Sequence, residues 1–200
     1  MNLKKYSFSF AGFSLRLNLM HKVALAEFEN REINLIQEIG NGKEATAIKY
    51  YSELSKRLKL LSKEQLEVFA KAELASRKQI AFLAMCKRYG FIRDFVIEVL
   101  REKVLLFDYN LTEGDYNSFF RKKSELFPEM EKFTESSIKK IKQVTFKILE
   151  QAGIIDNAKQ KVIQPQILDP MVEKAIVNDD KKWLMIFMVS DLDIENLVTG

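Results

Sequence analysis

The sequence predicts an all-α fold, one multi-helix unit with a small β-like wing near residues 159–168. Three observations predict it. Seven glycines and three prolines in 200 residues fall well short of the usual share of roughly 12%, so long segments run without a breaker. Apolar residues recur at spacings of three and four within those segments. Helix-start signatures precede several of them. A chain of this length buries about 70% of its unfolded surface, and its 47% hydrophobic and 30% charged residues exclude both a disordered tail and a multi-span membrane protein. Residues 1–133 read as a helical bundle, with a helical part over 134–200 packed on it as one unit.

Residues 6–13, Tyr-Ser-Phe-Ser-Phe-Ala-Gly-Phe, alternate rings with small residues and read as an extended arm pinned into the core by its aromatics. Ser14 is placed to cap a helix running to about Glu29, with Leu15, Leu19, Val23 and Ala26 on one side. A short helix over Arg31 to Ile39 should stop at Gly40 and Gly42. The next helix, about Glu44 to Leu61, carries Ile48, Tyr51, Leu54, Leu58 and Leu61 as its apolar stripe.

Ser62 with Gln65 is a capping-box pair, and the helix it opens runs to about Tyr89, long enough to require a break near Ser76 before Gly90 ends it. Phe91 to Phe107 is helical again. Thr112 with Asp115 repeats the capping pattern for a helix that stops before Pro128. Thr134 opens the clearest helix of the chain, ended by Gly153. Lys161 to Leu168, interrupted by Pro165, is the β-like stretch. Asp169 and Pro170 form a cap and first turn for a helix to about Asn178. A last amphipathic segment covers Lys182 to Val189.

Little here suits catalysis or metal binding. Gly40-Asn-Gly-Lys43 lacks phosphate-loop spacing and has Glu44 where a Mg²⁺-binding hydroxyl belongs. His21 is the lone histidine, which excludes a histidine metal cluster, and no Gly-x-Ser-x-Gly elbow is present. Cys86 reads as a buried small hydrophobe, and one cysteine excludes a disulfide scaffold. The pairs Asp94 with Glu98 and Glu113 with Asp115 read as solvated helix faces. The expectation is a protein with no enzymatic activity, no cofactor and no metal.

Charge is unevenly placed. The net charge is +4 with a pI near 9.0. Residues 134–163 hold six basic and three acidic side chains, whereas 164–200 hold three and seven. Lys139, Lys140, Gln143 and Lys147 share about a third of one helix circumference, and the turn that follows carries Lys159 and Lys161, an arrangement like a recognition helix and wing. Lys49, Lys56, Arg57 and Lys59 form a second basic stripe. Lysines in array suit phosphate contacts and Gln143 suits a base edge. No apolar run, Trp183 to Val189 included, exceeds seven residues, well short of the roughly 20 that span a bilayer. The reading is a cytoplasmic protein without a membrane partner, acting as a monomer.

The order and spacing of several blocks resemble the BrxA family, small core proteins of bacteriophage-exclusion (BREX) defence systems. The carrying residues are Tyr6-Ser-Phe-Ser-Phe-Ala-Gly-Phe-Ser14, Tyr89-Gly-Phe-Ile-Arg-Asp-Phe95 followed by Glu98 and Lys103, and Asp115-Tyr-Asn-Ser-Phe-Phe120. Phe133-Thr-Glu-Ser-Ser-Ile138 and Leu149-Glu-Gln-Ala-Gly-Ile-Ile155 complete the set. The resemblance implies a helical arrangement similar to the NusB fold, binding of double-stranded DNA, and work beside other BREX subunits such as a methyltransferase and an ATPase. The expected DNA contacts are Lys49, Lys56, Arg57, Lys59, Lys139, Lys140, Gln143 and Lys147. The alternative expectation is an adaptor whose aromatic arm and acidic tail dock larger subunits without touching DNA.

Overall fold

The computed structural model describes residues 5–197; residues 1–4 of the opening stretch, read above as part of the fold, and the last three of the 134–200 part lie outside the described residues. The frame consists of α1 (Leu17–Phe28), α2 (Glu44–Leu58), α3 (Lys63–Lys71), α4 (Leu74–Arg88), α5 (Gly90–Phe95), α6 (Glu102–Leu105), α7 (Glu113–Leu126), α8 (Glu135–Ala152), α9 (Pro170–Asp180) and α10 (Asp191–Asn196). Tighter or wider helical turns cover Ser9–Gly12, Leu35–Ile39, Val96–Arg101, Pro128–Lys132 and Lys181–Phe187. The all-α expectation holds. α4 is the axis: every residue from Gln79 to Cys86 is buried, as befits a stretch apolar on all sides from Ile80 to Cys86, and α1, α2, α3, α5, α8 and α9 all pack on it.

The caps read from sequence are realised. Ser62 with Gln65 and Thr112 with Asp115 form complete reciprocal boxes. Thr134 Oγ1 accepts from Ser137 N, and Gly153 closes α8 with φ +77, a left-handed position that costs glycine little. Asp169 accepts from Met171 N ahead of Pro170. Gly40 is required for a different reason: a Cβ there would lie 2.5 Å from Lys43 O and 2.6 Å from Ala47 Cβ.

Other boundaries differ. Ser14 does not cap α1; Ser14 and Arg16 both turn left-handed (φ 50° and 54°), Arg16 holds the cap position, and Leu15 N donates instead to Gln151 Oε1 of α8 at 3.1 Å. The break in the long helix falls at Ala72 and Glu73, both extended, while Ser76 is buried and donates to Asp169 Oδ2 at 2.8 Å. Gly90 starts α5 rather than ending a segment. The apolar stripe of α2 is rotated, since Ile48 and Tyr51 are exposed whereas Glu53 and Arg57 are buried beside Leu54 and Leu58.

The arm is pinned as expected, though without a strand. Tyr6, Phe8 and Phe10 all meet Phe91, at centroid distances of 5.7, 5.1 and 6.3 Å, and Tyr6 also meets Phe127, Phe8 meets Phe133, and Phe10 meets Tyr89. Such pairs each add about 0.5–1.5 kcal/mol beyond area burial. The arm ends in the turn Ser9–Gly12, which lies on α8.

Candidate nucleic-acid interface

α8 buries Ile141, Val144, Phe146, Ile148, Leu149 and Ala152, and turns the buried Thr145 hydroxyl back onto Ile141 O at 2.8 Å. Its opposite face exposes Lys139, Lys140, Gln143 and Lys147. At 100° per residue these four lie within about 100° of one another. Among the described residues Lys139 and Lys140 have no acidic partner, and Lys147 meets Glu150 at 3.2 Å in an exposed i,i+3 pair, which is worth only about 0.2–0.5 kcal/mol. Lys142 leaves this face. It pairs with Glu113 and donates to Asn117 Oδ1 at 3.3 Å, and the hydrogen bond from Lys142 is the main cause holding the Glu113 carboxyl below its ordinary range.

The second stripe is only partly on the surface. Lys49, Lys56 and Lys59 are exposed, and the Lys49 amine lies 5.4 Å from the Phe13 ring centroid. Arg57 corrects the expectation: it is fully buried, Nη1 donates to Ser14 O and Leu15 O at 2.8 and 3.0 Å, and its guanidinium lies 5.5 Å from the Tyr89 ring centroid. Beside it the buried Glu53 accepts from Tyr89 Oη; burial first, then this bond, pushes the Tyr89 hydroxyl's pKa upward against the opposing pull of Arg57. An arginine so committed cannot reach a ligand.

No wing is present among the described residues. Residues 156–163 form a turn in which Asp156 Oδ1 accepts from Val162 N and Asn157 Oδ1 accepts from Gln160 N, both at 2.8 Å. Two isolated antiparallel bridges, Asn110 with Val162 and Ile155 with Ile163, tie it down. Lys159 is exposed, but Lys161 is folded inward, 3.5 Å from Glu113 and 5.4 Å from the Phe146 ring centroid.

The remaining reactive side chains are engaged within the fold. His21 Nε2 is 3.0 Å from Ala70 O and its ring stands edge-on to Phe69. Cys86 is fully buried, and burial pushes its thiol pKa up, away from reactivity. Asp94 is no solvated face: it accepts from Tyr6 Oη at 2.6 Å, pairs with Arg93, and lies 3.6 Å from the buried Lys123, which also binds Glu98. This network fastens the arm to α5. Asp115 serves the α7 cap and Lys103. Among the described residues no group of three or more His, Cys, Asp or Glu is placed to hold a metal, and no helix is long and apolar enough to cross a membrane.

One cation escaped the sequence reading. Arg16 is exposed between the two stripes, with Nε donating to Phe13 O and Nη2 to Tyr50 Oη, both at 3.1 Å. Spacing gave no sign of it, because Arg16 stands alone and belongs to neither basic stripe.

Fold and surface together define an all-helical protein with a cationic helix face. The family model for BrxA matches residues 1–180, and the chain belongs to the BrxA family. It is 26% identical over 131 residues to the BREX protein BrxA of Escherichia coli O9:H4 (strain HS), a match covering 66% of this chain and 62% of that protein's length. It is 26% identical over 145 residues to the BREX protein BrxA of Bacillus cereus (strain H3081.97), covering 72% of each. A crystal structure of an uncharacterized protein from Magnetospirillum magneticum shares the fold, with a TM-score of 0.76 at 17% identity over 92% of this chain and 98% of that one.

Proposed function

We propose that this chain is a non-catalytic component of a BREX phage-defence system that binds double-stranded DNA, gripping the backbone through Lys139, Lys140 and Lys147 of α8 and, more weakly, through Lys49 and Lys56 of α2 with Lys59 just past its end. Family membership and the names of the curated relatives support the BREX assignment. The observation that carries DNA contact is the α8 face: two lysines exposed without acidic partners among the described residues and a third held by only one half-buried carboxylate, on a rigid helix five turns long. Such an array displaces the cations condensed on the phosphates it neutralises. Gln143, central in the array, is the side chain able to read a base edge, so sequence preference is expected to be slight.

The decisive variant replaces Lys139, Lys140 and Lys147 together with Glu. All three are exposed, so the helical signal and melting point should stay near the parent's, while affinity for a duplex of about 20 base pairs falls at least a hundredfold. Unchanged binding removes α8 from the interface. Competition with a matched RNA duplex tests the preference for DNA.

A second reading, docking to other BREX subunits, has one observation in its favour: Leu106 and Phe107, at the end of α6, are 77% and 83% exposed. The arm itself is committed to the core and cannot serve as that reading's contact. Pull-down with and without nuclease separates the two; partners that persist without DNA favour docking.

A further inference from the structure

We propose that Arg16 is the centre of a phosphodiester site joining the two lysine stripes into one surface, a proposal that rests on the DNA-binding reading above and deepens it. The juxtaposition comes from the arm. After lying on α8 through Ser9–Gly12, the chain crosses toward α2, where Phe13 meets the Tyr50 ring at 5.5 Å between centroids and lies under the Lys49 amine. Two residues on, Leu15 N is held by Gln151 of α8, one turn beyond Lys147 on the same helix face. Arg16 therefore stands where α8, the arm, α1 and α2 meet.

Its side chain is fixed rather than free. The bonds from Nε to Phe13 O and from Nη2 to Tyr50 Oη, with the guanidinium carbon 4.9 Å from the Tyr50 ring centroid, occupy one edge of the fork. Among the described residues Nη1 has no partner. A planar guanidinium held in place with donors to spare is the arrangement best matched to a phosphate. It borders a cleft of about 490 Å³ lined also by Leu17, Asn18, Leu19 and Gln151. Among the described residues the exposed Asn18 makes no side-chain bond, and Gln151, whose oxygen is occupied by Leu15 N, retains its amide donors. Donor side chains of Arg16, Asn18 and Gln151 thus line one cleft, with Lys147 one turn before Gln151 on α8 and Lys49 beside Tyr50 on α2. Glu150 is the acid nearest along α8, and it is engaged by Lys147. A backbone phosphate seated here would make the duplex span both stripes at once.

The test is a fluorescence-anisotropy titration of the full chain against a duplex of about 20 base pairs over 50–200 mM salt. Arg16→Gln should lower the slope of log affinity against log salt by about 0.9, one phosphate's worth, and weaken binding about five- to tenfold at 100 mM. Tyr50→Phe keeps every charge but removes the hydroxyl that anchors Arg16; the slope should hold while affinity falls about two- to threefold. Both variants lie at the surface or its edge, and circular dichroism checks that they fold. Parental slope and affinity in both variants, with the α8 triple-Glu variant still defective, overturns the Arg16 site and leaves the DNA reading standing. Absence of duplex binding by the parent overturns both.

Discussion

α8 and α2 carry the same sequence signal and meet different ends. Each presents cations at helical spacing beside an apolar stripe, yet α8 keeps Lys139, Lys140 and Lys147 in solvent, whereas α2 loses Arg57 to the interior. The cause lies in what packs against each helix. α8 buries a stripe that is purely apolar apart from the self-satisfied Thr145. α2 faces the crossing of the arm at Ser14 and Leu15, whose carbonyls sit in irregular backbone and need donors. Arg57 supplies them, and the helix rotates so that Glu53 and Arg57 go in while Ile48 comes out. A basic stripe on a sequence is therefore a statement about spacing, and which member is structural depends on whose backbone lies opposite.

That contrast can be broken in order of size. The largest effect on the fold should come from Arg57→Ala, which leaves two carbonyls unpaired and a void beside Tyr89; about 3–4 kcal/mol of stability should be lost, read by urea unfolding. If Arg57 were a DNA contact instead, the variant would unfold like the parent and lose affinity. Next, Lys49 and Lys56 to Glu together should weaken duplex binding about tenfold, roughly 1.4 kcal/mol, with stability within about 0.5 kcal/mol. An effect exceeding that of the α8 triple variant would reverse the ranking of the two helices.

The smallest effect concerns Glu113, the carboxylate that engages Lys142 and Lys161. The Glu113 carboxyl is lowered in the folded state from an ordinary 4.5, by the hydrogen bond from Lys142 first and with Lys161 contributing. A carboxyl lowered on folding adds stability above its unfolded value and loses it as pH falls through the folded one. The acid limb of stability, measured from pH 6 to 3, should therefore be shallower in Glu113→Gln than in the parent. Because Glu113 is largely exposed, the difference will be modest and will shrink with salt.

Much of the fold was legible because its signals are local. Ser62 with Gln65, Thr112 with Asp115, and Thr134 with Gly153 each act within a few residues, and all three form as read. The features that escaped are settled by distant parts of the chain. Leu15 N takes its partner from Gln151, 136 positions away, which frees Ser14 from capping. Ser76 takes Asp169, 93 positions away, so the helix breaks instead at Ala72 and Glu73, where neither glycine nor proline marks it. Lys161 turns inward because Glu113 and Phe146 receive it. The α8 face could be read from spacing alone, since no other described residue buries it. Arg16 could not, because only the fold sets it between the two stripes.

The central claim, that exposed cations of α8 and α2 grip a duplex backbone, is tested most directly by the salt dependence of DNA affinity. With about six phosphates engaged, raising salt from 50 to 200 mM should weaken the parent roughly a thousandfold, and the α8 triple-Glu variant should show a much shallower slope. Affinity constant across that range, or a slope the α8 variant leaves untouched, would contradict it.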